Sequence, residues 1–135
     1  ESKGKNMNIG KAAKLSNLTV KAVRYYANIG LVKPQQNIFS GYREYTNEEI
    51  AKLKFIGKAR KFDFSVNECK ELLSLYEDKN RTSKEVKKIT LEKISQIDSK
   101  LKDLNDLRNE LSFLASNCHG DDKPNCPILD ELSKN

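Results

Sequence analysis

The chain has 135 residues, of which 37% are apolar, 33% are charged and none is tryptophan. This supply is thin for one large globular core and suits a small domain joined to a long helix whose apolar stripe needs a partner chain. No run of eighteen apolar residues and no secretory signal is present, so a membrane partner is excluded as a reading and a soluble, cytoplasmic protein is expected.

The net charge of +6 is unevenly placed: residues 1–70 carry 14 Lys and Arg against 6 Asp and Glu, whereas residues 71–135 carry 11 against 13. A basic first half beside a near-neutral second half suggests that the first half meets a polyanion, nucleic acid foremost. Three cysteines without a secretory signal argue against a disulfide framework and favour metal binding or redox sensing. No phosphate loop and no cysteine–histidine pair with an evident substrate cleft is present, so an enzyme is not expected.

Residues 1–6, ahead of Met7, read as an extension outside the folded pattern. Two short helices are expected near Ile9–Leu15 and Val20–Ile29, the second capped by Thr19 and ended by Gly30. Between Val32 and Tyr45 the helix breakers Pro34, Gln35, Gln36, Asn37 and Gly41, with the extended-chain formers Tyr42 and Tyr45, predict a short hairpin. Thr46 with Glu49, Ser65 with Glu68 and Thr82 with Glu85 each set a hydroxyl three residues before a glutamate. That capping-box pattern predicts helices beginning near Asn47, Val66 and Ser83, with a break at Lys79–Thr82.

Basic and aromatic residues interleave on the second helix (Lys21, Arg24, Tyr25, Tyr26) and on the hairpin (Tyr42, Arg43, Tyr45). This is the make-up of a winged helix-turn-helix, in which a recognition helix enters the major groove and a wing grips phosphates alongside. Arg24 and Arg43 are the strongest candidates for DNA, and Tyr25 is the first candidate for a core role. In the last helix Ile94, Ile97, Leu101, Leu104, Leu107, Leu111 and Leu114 recur at spacings of 3 and 4, and with Val86 and Ile89 extending the stripe backwards the mean is near 3.5, a coiled-coil seam. No second helix of that length is expected in the chain, so a homodimer is predicted, with packing on the short helices as the alternative.

Beyond the seam lies Cys118-His-Gly-Asp-Asp-Lys-Pro-Asn-Cys126. Structural zinc wants four ligands, usually as closely spaced pairs. Here one chain offers two cysteines and at most one histidine, since Cys69 lies in an earlier helix and reads as a bystander. Copper(I) is soft and content with few thiolates, so Cys118 and Cys126 could hold it in a loop turned by Gly120 and Pro124 and dried by Pro127, Ile128 and Leu129. His119 reads as facing solvent, although an imidazole ligand would admit zinc or copper(II). Asp121 and Asp122 read as turn formers, because hard oxygens suit a soft ion poorly.

The stretch V-R-Y-Y-A-N-I-G-L-V-K-P followed by S-G-Y-R-E-Y-T resembles the DNA-binding domain of the MerR family of metal- and stress-responsive transcription regulators. The Cys-x7-Cys loop with G-D-D inside and Cys-Pro-Ile at its end sharpens the likeness toward copper-responsive members. The resemblance implies a mainly α fold: a winged helix-turn-helix domain with connecting helices over 7–76, a long antiparallel coiled-coil dimerisation helix over 83–116, and a metal-binding loop and tail over 117–135. It implies DNA-facing roles for Lys21, Arg24, Tyr26, Tyr42 and Arg43. The stretch between Lys33 and Ser40 departs from the family by lacking an arginine, which removes one expected wing–phosphate contact.

In the resembling family the start of the partner subunit's dimerisation helix closes the metal site, here Ser83 with Lys87 one turn on. Relatives selective for divalent metals tend to carry cysteine at the position of Ser83, so serine favours Cu(I), with Ag(I) and Au(I) as mimics. The implied function is a Cu(I)-responsive activator of copper efflux or detoxification genes, binding double-stranded promoter DNA with and without metal. Metal would distort that DNA so that RNA polymerase, an indirect partner, can use the promoter. The rivals are a sensor of Ag(I), Au(I) or Zn(II), a thiol-redox sensor on the same fold, and a copper buffer or chaperone without a DNA role.

Overall fold

The computed structural model describes residues 7–135, so the extension at residues 1–6 lies outside the described residues. Six helices and one two-stranded hairpin follow in the order α1 (Ile9–Ser16), α2 (Val20–Asn28), β1 (Gln35–Gln36), β2 (Arg43–Glu44), α3 (Asn47–Lys61), α4 (Val66–Glu77), α5 (Ser83–Ser116) and α6 (Pro127–Leu132). The expected mainly α fold, with a winged helix-turn-helix and a long later helix, is what the chain adopts. It divides into two compact units, the first ending at Val86 and the second running Lys87–Asn135, so the division falls within the first turn of α5.

In the first unit, local chemistry sets each helix start. The Asn8 side chain accepts the Lys11 amide at 2.9 Å, and Thr19 accepts the Ala22 amide at 3.0 Å. Asn17 adopts a left-handed φ of 58° between α1 and α2, and Gly30 ends the second helix at φ +79°. All three predicted capping boxes form. The amides of Thr46 and Ser65 each donate to the glutamate three residues on at 2.7 Å, and Thr82 does so at 3.3 Å.

The wing strands pair antiparallel, Gln35 with Glu44 and Gln36 with Arg43. Just beyond, Met7 and Tyr45 exchange backbone hydrogen bonds of 2.9 and 2.6 Å, which ties the entry to α1 to the exit from the wing. The core beneath is built from Ala12, Ala13, Val23, Val32, Tyr45, Leu53 and Ile56, all nearly inaccessible to water. The two alanines let α1 lie close on its neighbours, a choice that a larger side chain would prevent. Between α3 and α4, the Phe55 and Tyr76 rings lie 5.1 Å apart and Lys52 pairs with Glu77 at 3.2 Å.

Among the described residues of this unit, Glu49 is the buried charge, 7% exposed. Its carboxylate accepts from the Thr46 amide and hydroxyl, and from the Gln35 side chain at 3.2 Å. Burial pushes its acidity toward the neutral form, but the hydrogen bonds from Thr46 and then Gln35 outweigh that and hold its pKa below the ordinary carboxylate value. A folded-state pKa below the unfolded one gives stability that is present above the unfolded value and lost as pH falls through the folded one. Glu49→Ala should therefore cost roughly 2 kcal/mol at neutral pH. In urea titrations from pH 7 to pH 3 the wild type should lose part of its advantage over the variant as the acid range is entered. An unchanged difference across that range would refute the assignment.

Candidate DNA-binding face and thiol site

Residues 21, 24 and 25 of α2 fall on one side of the helix and residues 23 and 26 on the other, as the helical repeat requires. Lys21, Arg24 and Tyr25 are exposed, whereas Val23 and Tyr26 are buried. The expectation for the tyrosine pair is thus reversed. Tyr25 is 49% exposed, and Tyr26, expected to face DNA, is 6% exposed and packs in the core. The reason is register: Tyr26 follows Val23 by three residues and shares its inward face, with the two tyrosine rings 5.7 Å apart.

The wing supplies the second half of the face. Tyr42 is 75% exposed and Arg43 is exposed beside it on β2. Arg24, Tyr42, Arg43 and Tyr45 line one cleft of about 630 Å³ between the recognition helix and the wing. Burial pushes the Tyr45 phenol up, while Arg43 and then Arg24 pull it down, so both guanidinium groups act on the same buried ring. The cleft joins the two arginines that stood out in the sequence. Lys21 is exposed on α2 outside that lining.

In the second unit, α5 ends at Ser116 and a loop carries the chain back so that the sulfurs of Cys118 and Cys126 lie 4.0 Å apart. Both are half-buried, and His119 between them in sequence is exposed, as expected. Gly120 turns the loop at φ +65°. With metal–thiolate bonds of about 2.3 Å, both sulfurs reach a single ion, and a collinear arrangement needs them to part by only roughly half an ångström. Among the described residues, no group of three or more His, Cys, Asp or Glu side chains comes together, so two sulfurs are the donors this loop assembles. Cys69 is buried in α4 of the first unit.

A feature not anticipated is α6, which begins at Cys126 as its N-cap with Pro127 in the first turn. Proline at that position is a helix-start signal that was present in the sequence. The amide of Leu129, and then that of Ile128, draw the Cys126 thiol below its ordinary pKa. The apolar cover expected beside this sulfur is partial within the chain: Pro127 and Ile128 are half-buried, but Leu129 is 64% exposed.

Ser83 and Lys87 are exposed at the start of α5, and the cysteines lie past its end. A 34-residue helix is about 50 Å long. Along one chain, the helix start and the thiols are therefore at opposite ends of it. The seam residues Ile94, Leu101, Leu104, Leu107 and Leu111 are between 48% and 62% exposed, an uncovered apolar stripe. No helix among the described residues is long and apolar enough to cross a membrane.

Comparison with known proteins agrees with this architecture. Residues 7–76 match the family model described as MerR HTH family regulatory protein, and residues 50–114 match the model described as MerR, DNA binding. The chain is 47% identical over 127 residues to the HTH-type transcriptional regulator HmrR of Rhizobium leguminosarum bv. viciae, covering 94% of this chain and 98% of that protein. It is 43% identical to the HTH-type transcriptional regulator CueR of Salmonella typhimurium, covering 94% and 92%. The crystal structure of the transcription regulator PbrR691 from Ralstonia metallidurans CH34, in complex with lead(II), superposes with a TM-score of 0.79 at 29% identity, covering 94% and 99%. This chain belongs to the MerR family of DNA-binding transcription regulators and is not an enzyme.

Proposed function

We propose that this chain is a copper(I)-responsive transcription activator that works as a homodimer on promoter DNA. The observation that carries the metal reading is the pair of sulfurs 4.0 Å apart, with no third side chain of ligating type gathered beside them among the described residues. Such a donor set suits a soft monovalent ion, Cu(I) with Ag(I) and Au(I) as mimics, and is short of ligands for zinc. A likeness of 42% identity over 127 residues to the protein named Heavy metal-dependent transcription regulator 2 of Rhizobium meliloti supports a heavy-metal role, and the protein of known structure bound to lead marks the alternative of another metal.

Two thiolates and one Cu(I) leave a net charge of −1, which a dry site tolerates poorly without compensation. The open amides at the start of a long helix, with a lysine one turn on, would supply it. Ser83 and Lys87 have that placement, and the length of α5 makes them available only from a second chain lying antiparallel. The uncovered leucine stripe supports the same pairing. Lys21, Arg24, Tyr42 and Arg43 are the proposed DNA-binding residues, with Tyr25 taking the exposed place expected of Tyr26. Metal would favour one of two DNA-bound states, and the difference between them is delivered as bending of the promoter. Targets among copper efflux or detoxification genes, indirect action on RNA polymerase and a cytoplasmic location follow from this reading.

In vitro transcription with Cu(I), Ag(I) and Zn(II), on wild type and Cys118→Ser, tests it. Cu(I) and Ag(I) should activate the wild type, and the variant should still bind DNA without activating. Activation by zinc alone would replace copper. Activation by oxidant in metal-depleted reactions would favour a disulfide switch, for which sulfurs 4.0 Å apart are near enough to close.

Two further outcomes follow from the same sites. With a lowered pKa, Cys126 should react with iodoacetamide on a pH profile that inflects below the usual thiol value of about 8.5. Added Cu(I) should protect Cys126 and Cys118, while buried Cys69 reacts only on unfolding. Replacing both Leu104 and Leu107 with Asp should reduce the sedimentation mass from a dimer to the 15.4 kDa monomer.

A further inference from the structure

The tip of the wing carries Ile38 and Phe39, which are 88% and 94% exposed, more than any other large apolar residue described. Exposure of this kind in a mobile tail would mean little, but these two residues sit on a built turn. The Asn37 side-chain oxygen accepts the amides of Phe39 at 2.8 Å and Ser40 at 2.9 Å. The Asn37 backbone closes the loop from both sides, its amide donating to the Tyr42 carbonyl at 2.9 Å and its carbonyl accepting the Gly41 amide at 2.8 Å. Gly41 takes φ +77°, a conformation that favours glycine over residues with a Cβ. The turn thus spends its polar groups on itself and turns the apolar pair outward.

The same hairpin has no charged residue from Pro34 to Tyr42, so its tip offers no ion pair to a phosphate. Its base is the opposite: Tyr42 and Arg43 line the cleft shared with Arg24 of the recognition helix. An apolar tip on the hairpin whose base lines this basic cleft would meet the deoxyribose faces and groove wall of the duplex that the cleft engages.

We propose that Ile38 and Phe39 form an apolar DNA contact in which the wing tip lies against sugars of the minor groove flanking the site read by α2, in place of a phosphate ion pair. This rests on the DNA-binding reading of the cleft. A preorganised turn makes the contact without an ordering cost at the tip. Burial of a large aromatic and a β-branched side chain adds affinity that salt does not screen, because no counterion is released.

The probe is a duplex selected from a randomised pool with the full chain. Ile38→Ser combined with Phe39→Ser should weaken binding roughly tenfold or more, leave the slope of log K against log salt unchanged, and remove hydroxyl-radical protection of deoxyriboses at the outer flank only. Arg43→Ala should instead flatten the slope by about 0.9. Equal thermal melting of the double variant and wild type establishes that the loss is not one of folding. Unchanged affinity and footprint in the double variant would overturn the proposal, as would a change in its self-association mass with the flank protection retained, which would make a second copy the occupant. Failure of the wild type to select any duplex would sink the DNA-binding reading itself.

Discussion

Glu49 lies in the first turn of α3 with its carboxylate turned back onto Thr46 and sideways onto Gln35 of the wing. A charge buried to 7% exposure is tolerable only because each partner is a donor already held by secondary structure. The contact makes one piece of the α3 start and the first wing strand. The next residue before the cap, Tyr45, then bridges to Met7 and brings in the entry to α1. Arg43 sits on the wing that this short chain of hydrogen bonds ties to α3 and to the entry of α1, and it lines one cleft with Arg24 of α2.

Apolar residues are divided unequally between two tasks. The DNA-binding unit closes a small, dry core around Val23, Tyr45, Leu53 and Ile56. The long helix keeps its leucines in water, and burying each is worth about 1.5–3 kcal/mol. A seam of seven such positions supplies on the order of 10 kcal/mol before the entropy of association is subtracted. That surplus has no use within one chain, and under the proposed pairing the low apolar content follows, because part of the core would be supplied by a second copy.

Much of the fold could be read from the residues. Hydroxyl–glutamate pairs marked three helix starts because the capping box is a local interaction, complete within four residues. The wing was marked by breakers, and the long helix by its leucine spacing. The two tyrosines were harder. Tyr25 and Tyr26 are chemically identical neighbours, and which one faces inward depends on the phase of α2 against α1, a non-local fact that Val23 signals only weakly. The six-residue α6 fell below the length at which periodicity speaks, although Pro127 at its first turn marked it. Cys118 and Cys126 were identified by type and spacing. That the loop brings their sulfurs to 4.0 Å, and that the amides of α6 favour one thiolate, depends on the turn at Gly120 and could not be counted from the sequence.

The length of α5 has a mechanical side. A helix is stiff along its axis, so over about 50 Å a tilt of roughly 4° at one end sweeps the other by about 3.5 Å, close to the 3.4 Å repeat of a DNA strand. Such an element works as a lever arm with a gain set by residue number alone. Under the proposed metal-sensing reading, a shift of a fraction of an ångström beside the two sulfurs would become a displacement on the scale of one base-pair step, and each turn added to or removed from the helix would rescale that stroke by about a tenth.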